Sequence, residues 1–372
     1  MDPALSVIVP TRERAGTLRY TLASTLAHSN HDYEVIVSDN FSSDDTAAVI
    51  GSISDKRLRY FKTPKRLSMC DNYEFALQQA RGSHVLIIGD DDAVIPGALD
   101  SLVAEISSGA TKQIYAWPLH VYDWPAEGHG ARVAHLAPQR PRFEVDLRRH
   151  ARFVMAMGGW KYYELPSPYH AAVPLQLLDA IRARTGRVFH STQPDVFTAM
   201  ALPSVAERSV NLGYTVSFNG RSAKSNGRGF VASTARLNLT TFLQEYTDYA
   251  YHHTLFPGVG GIANMIPDAV LKARDLFPGL YADVPFGYEA MWAYLCRLRF
   301  TSAIDVLKNR SALRQYHSFK ARDFLRYLAM QEAGAARRKL LDGWSQRKGI
   351  MRQPPDNIMD FAMSLVGKSA SS

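Results

Sequence analysis

The sequence predicts an α/β fold, with a mostly parallel sheet that carries helices on both faces and a mainly helical C-terminal region. Two observations support this prediction. Over the first 110 residues, short apolar β-branched segments alternate with segments of helical spacing. From residue 237 onward, apolar residues recur at helical spacing, with breaks at several prolines. Strands that alternate with helices pair in parallel, because each helix returns the chain to the start of the next strand.

Each element of the first 110 residues has its own local signal. Apolar runs that close on Pro, Asp or Gly predict strands, and capping residues, Gly82 and the Pro96-Gly97 pair mark helix ends. The predicted strands cover residues 5–10, 34–39, 58–61 and 84–89. The predicted helices lie around residues 18–26, 42–50, 73–80 and 96–106.

The middle of the chain gives weaker local signals. Residues 113–118 are strand-like, 175–181 are helical, and 213–216 are strand-like before a polar loop that continues to residue 230. Loops rich in proline, glycine and histidine make up most of 112–160. No internal repeat is present.

The composition is that of a globular chain with a basic surplus. Of the 372 residues, 46% are hydrophobic and 21% are charged, which allows a large core and excludes general disorder. The net charge of +8, concentrated in the last third, favours anionic partners. We expect that third to be either a solvated helical surface or a surface for peripheral contact with an anionic membrane. No nucleic-acid-binding motif is present, so no nucleic-acid partner is predicted.

The cysteine content and the lack of long apolar segments indicate the cellular compartment to expect. Cys70 and Cys296 offer neither a disulfide framework nor a zinc spacing. The sequence contains no signal-peptide pattern and no window near the roughly 20 apolar residues that span a bilayer. We expect a cytoplasmic protein, with peripheral attachment to the inner membrane face as the alternative. The sequence predicts no particular oligomeric state.

Three successive aspartates, Asp90-Asp91-Asp92, follow an apolar strand. Adjacent carboxylates repel one another, and burial penalises their charge. A divalent cation such as Mg²⁺ or Mn²⁺ relieves both penalties, and such ions prefer carboxylate and phosphate oxygens. Because side chains alternate at a strand end, Asp90 and Asp92 are expected to share a face. The alternative is an exposed acidic turn in which Asp92 caps the next helix.

Four segments together resemble the family 2 glycosyltransferases of the GT-A fold. They are SVIVPTRER at 6–14, EVIVSDNFSSD at 34–44, ARG at 80–82 and GDDD at 89–92, in the family's order and spacing. The resemblance implies a nucleotide-sugar-binding half at 1–110, an acceptor-binding half with the catalytic base at 111–235, and a helical region at 236–372. It also implies an inverting reaction with Mn²⁺ or Mg²⁺ and a donor that is most often a UDP-sugar.

The resemblance also implies roles for individual residues. Donor-binding roles fall on Pro10, Thr11, Arg12, Asp39, Asn72, Asp90 and Asp91. Metal-binding roles fall on Asp92, as the direct ligand, and on Asp90. Asp39 would hydrogen-bond the base, usually uracil. The family commonly has an aromatic residue and an Asn where this chain has Arg12 and Glu13. Arg12 is therefore expected either to stack on the base, to contact a phosphate, or to be a surface residue.

An inverting enzyme of this family needs one carboxylate that deprotonates the acceptor hydroxyl. The resemblance implies a position about a hundred residues after the triplet, where Asp179, Asp195 and Glu207 are candidates. We select Asp195, because relatives often have a Pro-Asp pair here and Pro194 precedes it. The alternative is that Asp195 only stabilises the start of a helix.

Other side chains could contribute to a site, although a structural role is the simpler interpretation for each. The histidines are candidates for an additional metal ligand, and nearby aromatic residues are candidates for a sugar platform. They are His170, His190, His252, His253, Trp160, Tyr162, Tyr163 and Tyr169. The polar segment 224–229 could contact the diphosphate through its Lys and Arg, or be a plain surface loop.

The predicted function is transfer of a sugar from a nucleotide-diphosphate donor to a glycan or lipid-linked glycan, in cell-surface polysaccharide synthesis. One alternative is a nucleotidyltransferase that makes the activated sugar. Such enzymes carry a glycine-rich loop after the first strand, whereas residues 10–16 contain a single glycine. The other alternative is a non-catalytic nucleotide- or glycan-binding module.

Overall fold

A computed structural model describes residues 2–29, 32–110, 112–125, 133–223, 242–247, 249–256, 262–298, 301–352 and 354–366. The strands are β1 (Leu5–Thr11), β2 (Tyr33–Asp39), β3 (Leu58–Lys62), β4 (His84–Ile87), β5 (Ala93–Val94), β6 (Ile114–Ala116), β7 (Val121–Asp123), β8 (Val133–His135), β9 (Phe143–Asp146), β10 (Ala171–Pro174), β11 (Arg208–Asn211), β12 (Ser217–Arg221) and β13 (Ile350–Arg352). The helices are α1 (Ala15–Leu26), α2 (Thr46–Gly51), α3 (Met69–Leu77), α4 (Ala98–Ser108), α5 (Leu147–Ala156), α6 (Leu175–Thr185), α7 (Pro194–Ala201), α8 (Ile262–Leu276), α9 (Pro278–Tyr281), α10 (Tyr288–Arg297), α11 (Ala303–Lys308), α12 (Arg310–Tyr316), α13 (Ala321–Gly349) and α14 (Ile358–Val366).

The larger sheet has a parallel half and a mixed half. Its order within the described residues is β3-β2-β1-β4-β10-β6-β11-β9. The first four strands are parallel, as expected for strands joined by crossover helices. β10 runs antiparallel to both β4 and β6, because an excursion through the smaller sheet and α5 precedes it rather than a single helix. The predicted α/β class is confirmed.

The smaller sheet joins distant parts of the chain in the order β13-β8-β7-β12-β5. Its edge strand β5 directly follows the acidic triplet and pairs antiparallel with β12.

The strand predicted at 213–216 instead begins at Ser217. Gly213 has a φ of +80°, and a Cβ there would lie 1.9 Å from the Arg140 carbonyl oxygen. The polypeptide therefore turns at Gly213, and the pairing with β5 and β7 starts later.

Both faces of the larger sheet are covered, which explains why its central strands are apolar without interruption. Every residue of β2 is buried. One core layer contains residues of α1 and α4, such as Leu22 and Leu102. The opposite layer contains residues of α3, α5–α8 and the following helices, including Phe197 and Trp292. These layers hold the ends of β1, β2 and β4 in place.

The C-terminal third is mainly helical, as predicted. α10 packs against α13, whereas α14 returns to the N-terminal part and packs against α1 and β5. The ring of Phe361 in α14 stacks on Tyr122 and meets Phe218 edge-on, at centroid distances of 5.3 and 5.4 Å. Among the described helices, none is long and apolar enough to cross a bilayer.

Candidate active site at the carboxyl edge of the sheet

Three polar segments meet where neighbouring parallel strands end. β1 ends at Thr11, β2 ends at Asp39, and the acidic triplet follows β4. Thr11 lies opposite Asp39 in the ladder, and its hydroxyl donates a hydrogen bond to Asp90 Oδ2 at 2.7 Å. We call this region the carboxyl edge. Open α/β sheets bind ligands beyond such strand ends.

Asp90 is held by the segment that follows β1. Its Oδ2 accepts hydrogen bonds from the Thr11 hydroxyl and, at 3.4 Å, from the Arg12 amide. Its Oδ1 accepts from Arg14 Nη1 at 2.8 Å, and the same Nη1 lies 3.6 Å from Asp91 Oδ1. Burial opposes the charge of this guanidinium, but Asp90 and Asp91 hold the pKa of Arg14 above its usual value. Arg14, for which the sequence predicts no role, is thus a cation between two carboxylates.

Asp91 is the electrostatically strained member of the triplet. Burial raises the pKa of Asp91 to about 7; Arg14 opposes the shift, while Asp92 and Asp90 add to it. The amide and hydroxyl of Ser222 donate to Asp91 Oδ2 at 3.0 and 2.6 Å. Asp91 Oδ1 faces only the longer contact to Arg14 Nη1, at 3.6 Å, among the described residues. Additional positive charge near this oxygen would stabilise the ionised carboxylate.

Asp92 has the opposite environment, although it is completely buried. Its Oδ2 accepts from the Gly89 amide and the Tyr169 hydroxyl and lies 3.1 Å from His170 Nε2. Its Oδ1 accepts from the Gly220 amide at 2.8 Å. Burial favours the neutral acid, but His170 and these donors hold the pKa of Asp92 below its usual value. Asp92 was predicted as the direct metal ligand, yet its oxygens already face four protein groups.

Hydrogen bonds to its backbone carbonyl groups fix the triplet from two sides. Thr21 of α1 donates to the Asp92 carbonyl at 2.7 Å, and Trp124 donates to the Asp91 carbonyl at 2.8 Å. β12 approaches so closely that a Cβ on Gly220 would lie 1.6 Å from that same Asp91 carbonyl oxygen. Only glycine fits there. Neither Gly220 nor Ser222 carried a local signal in the sequence.

Asp39 and Asn72 lie at the neighbouring strand. Asp39 is fully buried; its Oδ1 accepts from the Ser42 amide and its Oδ2 from the Tyr60 hydroxyl, each at 2.8 Å. Asn72 Oδ1 accepts from Ser38 at 2.7 Å, one residue before Asp39. Pro10 precedes Thr11 in β1. The structure therefore brings the predicted donor-binding residues together along the ends of β1, β2 and β4.

Asp195 lies at the start of α7, after Pro194. It is half-buried, and burial raises the pKa of its carboxyl, while the amides of Val196 and Asp195 itself and the charge of His170 lower it. Asp195 and the triplet share an electrostatic environment. Burial raises the pKa of Tyr73, and the charges of Asp195, Asp92 and Asp90 raise it further. The Asp195 carboxylate thus acts on the same phenol as Asp92 and Asp90, and it lies at a helix start.

The other two candidates for the base have solvent-facing partners. Asp179 is on α6 and pairs with Arg182, with half of the Asp179 side chain exposed. Glu207 pairs with Arg148 at 3.1 Å, and its side chain is 73% exposed. Neither residue has a resolved contact with the triplet.

The candidate histidines and aromatic residues divide between the carboxyl edge and ordinary packing. His170 adjoins Asp92, and its Nδ1 lies 2.8 Å from Ser217 Oγ. His252 bonds Asp275 at 2.8 Å instead, and His190 packs on Phe197. Of the aromatic residues, Tyr169 bonds Asp92, and burial followed by the charge of Asp195 raises the pKa of Tyr162. Trp160 packs on Phe153, and Tyr163 is 63% exposed. The segment 224–229 lies outside the described residues.

Backbone strain accumulates around this region. Positive φ values between 55° and 64°, which residues other than glycine rarely adopt, occur at Glu13, Phe41, His170 and Ser191. They flank Arg12, Asn40, Tyr169 and Thr192 in the sequence. Strained conformations of this kind persist where surrounding contacts over-determine them, and they cluster at functional sites.

Sequence comparisons match the N-terminal part of the chain. Over 110 residues, or 29% of this chain, it is 37% identical to a GalNAc(5)-diNAcBac-PP-undecaprenol β-1,3-glucosyltransferase of Campylobacter jejuni. Over 112 residues, or 30% of this chain, it is 28% identical to the succinoglycan biosynthesis protein ExoO of Rhizobium meliloti. The matched segments span 36% and 32% of those relatives' lengths.

Comparison with solved structures covers more of the chain at lower identity. Staphylococcus aureus TarS 1-349 in complex with UDP-GlcNAc is 17% identical, with a TM-score of 0.49 and coverage of 89% of this chain and 92% of that one. The mannosyltransferase PcManGT from Pyrobaculum calidifontis, in complex with GDP-Man and Mn²⁺, is 19% identical, with a TM-score of 0.41 and coverage of 92% and 88%. The family model of glycosyl transferase family 2 matches residues 6–161, which contain β1 to β4 and the acidic triplet. This match, over less than half of the chain, shows that the N-terminal part resembles glycosyl transferase family 2.

Proposed function

We propose that this protein is a metal-dependent inverting glycosyltransferase that moves a sugar from a UDP-sugar to a hydroxyl group of a glycan or lipid-linked glycan. The observation that carries the proposal is the meeting of Thr11, Asp39 and the acidic triplet at the carboxyl edge, inside the segment that matches the family model. This places carboxylates suited to a donor and its metal where open α/β sheets bind ligands. A direct displacement also needs a carboxylate for the acceptor in the same site, and Asp195 is proposed for it.

The donor would lie along the carboxyl edge. Asp39 accepts one hydrogen bond on each oxygen, so it retains acceptor capacity for the N3–H of uracil. Thr11 and Asn72 flank this position, and Arg12 extends from the end of β1.

The metal is assigned to Asp90 and Asp91 in this proposal, which differs from the expectation for Asp92. His170 and donated hydrogen bonds already hold the pKa of Asp92 low, whereas Asp91 is the carboxylate that additional positive charge would stabilise. No three Asp, Glu, His or Cys side chains of the described residues form a ready metal cage. A Mg²⁺ or Mn²⁺ site with one or two carboxylates is completed by donor phosphates and water, and does not need such a cage. The ion would neutralise charge on the departing diphosphate.

Asp195 is the proposed catalytic base. Its raised pKa makes the ionised carboxylate a better proton acceptor than an exposed aspartate. As the acceptor oxygen forms its bond to the anomeric carbon, Asp195 takes the hydroxyl proton. The bond from that carbon to the diphosphate breaks, and the nucleoside diphosphate leaves with the bonding electrons. Attack opposite the leaving group inverts the anomeric centre.

The acceptor class is proposed from the relatives. One relative is named as acting on a PP-undecaprenol-linked glycan, and another is named for succinoglycan biosynthesis. We therefore propose a role in cell-surface polysaccharide synthesis in the cytoplasm, with peripheral contact to an anionic membrane through the basic C-terminal third.

Co-sedimentation with phosphatidylglycerol vesicles, compared with phosphatidylcholine vesicles, tests that contact. Equal binding to both would argue against it.

Calorimetric titration with UDP, with and without Mn²⁺, tests the donor assignment. We expect wild-type protein and the control Asp179→Asn to bind UDP with Mn²⁺-dependent affinity, and Asp91→Asn to lose the Mn²⁺ dependence. Asp179 is a suitable control because it is an exposed aspartate paired on its own helix. If no nucleotide bound under any metal condition, the enzyme assignment would give way to a glycan-binding module.

A further inference from the structure

Two arginines from different loops converge on one carboxylate beside the carboxyl edge. Arg12 Nη1 donates to both oxygens of Glu245, at 3.0 and 2.9 Å. Arg66 Nε donates to Oε1 of the same carboxylate at 2.9 Å, and Arg66 Nη2 lies 2.7 Å from that oxygen. The Glu245 side chain is only 10% exposed, although it belongs to the segment 242–247, far away in sequence.

Both arginines stand on backbone that belongs to the proposed donor site. The Arg12 amide contacts Asp90, as described above. Arg66 precedes Leu67, whose amide and carbonyl groups both bond the side chain of Asn40 at 2.8 Å. Asn40 immediately follows Asp39 at the end of β2. The backbone that carries the two arginines therefore adjoins the residues proposed to hold the base and the metal, within reach of their long side chains.

The chemistry of this contact is that of anion recognition. A guanidinium presents a planar set of donors that fits carboxylate and phosphate oxygens equally well. Two arginines facing one carboxylate leave a net positive charge. A nucleoside diphosphate carries more negative charge than Glu245 and would pair with the same two groups.

The segment that carries Glu245 is anchored by apolar packing on either side of this residue. Phe242 and Met265 form a small apolar cluster, and Tyr246 packs against both this cluster and one of the large core layers. Farther along, Asp268 is completely buried and accepts hydrogen bonds from the Tyr249 hydroxyl and the His252 amide. Packing therefore holds the backbone beside the two arginines, while the Glu245 carboxylate itself is held by its ion pairs with Arg12 and Arg66.

We propose that Arg12 and Arg66 form a binding pair for the donor's diphosphate and that Glu245 occupies this pair when no donor is bound. The diphosphate displaces the Glu245 carboxylate, and the Glu245 side chain turns away from the two arginines, which loosens segment 242–247. This inference rests on the proposed function, since it requires a nucleoside diphosphate as ligand. It assigns Arg66 to the donor site and makes Glu245 an internal competitor of the donor.

Calorimetric titration of the full chain with UDP and UMP, in the presence of Mn²⁺, tests the competition. Glu245→Gln keeps the shape of the side chain but removes its charge. We expect this variant to bind UDP about fivefold more tightly than wild type, as for loss of one partly buried ion pair. The change for UMP should be smaller, because UMP lacks the β-phosphate. Arg66→Gln should weaken UDP binding. Glu105→Gln is the control, since Glu105 pairs with Arg142 at 2.7 Å away from the site.

Unchanged or weaker UDP binding by Glu245→Gln would overturn the proposal. Weaker binding would mean that Glu245 helps to orient Arg12 for the donor instead of competing with it. Hydrogen exchange of wild-type protein gives a second readout that needs no variant: UDP should accelerate exchange in residues 242–247. Slower or unchanged exchange on UDP binding would also overturn it. Failure of wild type and Glu245→Gln alike to bind any nucleotide would instead overturn the proposed function, and this inference with it.

Discussion

Asp91 and Asp92 are chemically identical neighbours, yet their pKa values shift in opposite directions because different groups face them. The negative charge of Asp92 is stabilised by His170 and by donated hydrogen bonds, whereas Asp91 is buried beside two like charges. The residue predicted as the metal ligand is therefore part of the scaffold in our proposal. A loss of charge should have opposite structural consequences at the two positions.

We expect Asp92→Asn to lower the free energy of unfolding by about 3 kcal/mol, because it breaks a buried charged network and turns an amide NH₂ toward existing donors. Asp91→Asn should change stability little or raise it, because it removes a strained charge. Urea denaturation without metal measures both values. Equal destabilisation by the two variants would contradict the different environments described for them.

Asp195→Asn should lower kcat by a factor of about 10² to 10⁴, because the amide cannot accept the acceptor's proton. The dissociation constant for UDP should stay unchanged, since Asp195 acts on the acceptor side. Turnover with a matched donor and acceptor, together with calorimetric UDP binding, separates the two effects. A purely structural role at the start of α7 would instead lower thermal stability while sparing kcat in the folded fraction.

At the scale of elements, β12 forms one wall of the site. Gly220 donates to Asp92, and Ser222 directly after the strand donates to Asp91. The segment Ser217–Arg221 contains Asn, Gly and Arg, so its sequence lacks the apolar alternation that predicts strands. Its conformation depends on pairing with β5 and β7.

Gly220→Ala should destabilise the protein by more than about 3 kcal/mol or prevent folding, because the new methyl group would collide with the Asp91 carbonyl. The matched control is Gly51→Ala, at the end of α2, where a Cβ meets nothing within 4 Å. This control should be neutral or stabilising by about 0.5–1 kcal/mol. Thermal unfolding of both variants tests the pair. Similar melting temperatures would show that β12 can move away from the triplet.

The parts of the structure that could be predicted from the sequence carry strong local signals. β1 and β2 are continuous apolar strands, and the triplet follows such a strand directly. Arg14, Ser222 and Glu245 were missed, because their partners lie 76, 131 and 233 residues away in the chain. Spacing along a sequence does not encode contacts of that range. The roles of Asp195 and the triplet remain predictions.

For the molecule as a whole, the carboxyl edge links stability to pH. The pKa of Asp91 in the folded protein, about 7, lies above its usual value of 3.8. Between these values the folded state binds more protons than the unfolded state, so stability falls as pH rises. This loss is absent below the usual pKa and complete above pH 7.

The melting temperature of metal-free wild type should therefore fall relative to that of Asp91→Asn as pH increases from 5 to 8. Mn²⁺ together with UDP should reduce the difference, because bound cation stabilises the ionised carboxylate. Differential scanning fluorimetry in EDTA, and then with Mn²⁺ and UDP, measures both effects. A gap between the two proteins that stays constant with pH would argue against a raised pKa at Asp91.

The return of α14 to the N-terminal part has a consequence for folding during synthesis. β13 adds the edge strand of the small sheet and α14 packs against that sheet, yet the ribosome makes both long after β5 and β12. Until they emerge, the rings of Tyr122 and Phe218 lack their partner Phe361 and face water. The stretch that matches the family is therefore not a separable unit: an expressed fragment that stops before residue 350 would present this apolar surface to its neighbours and aggregate.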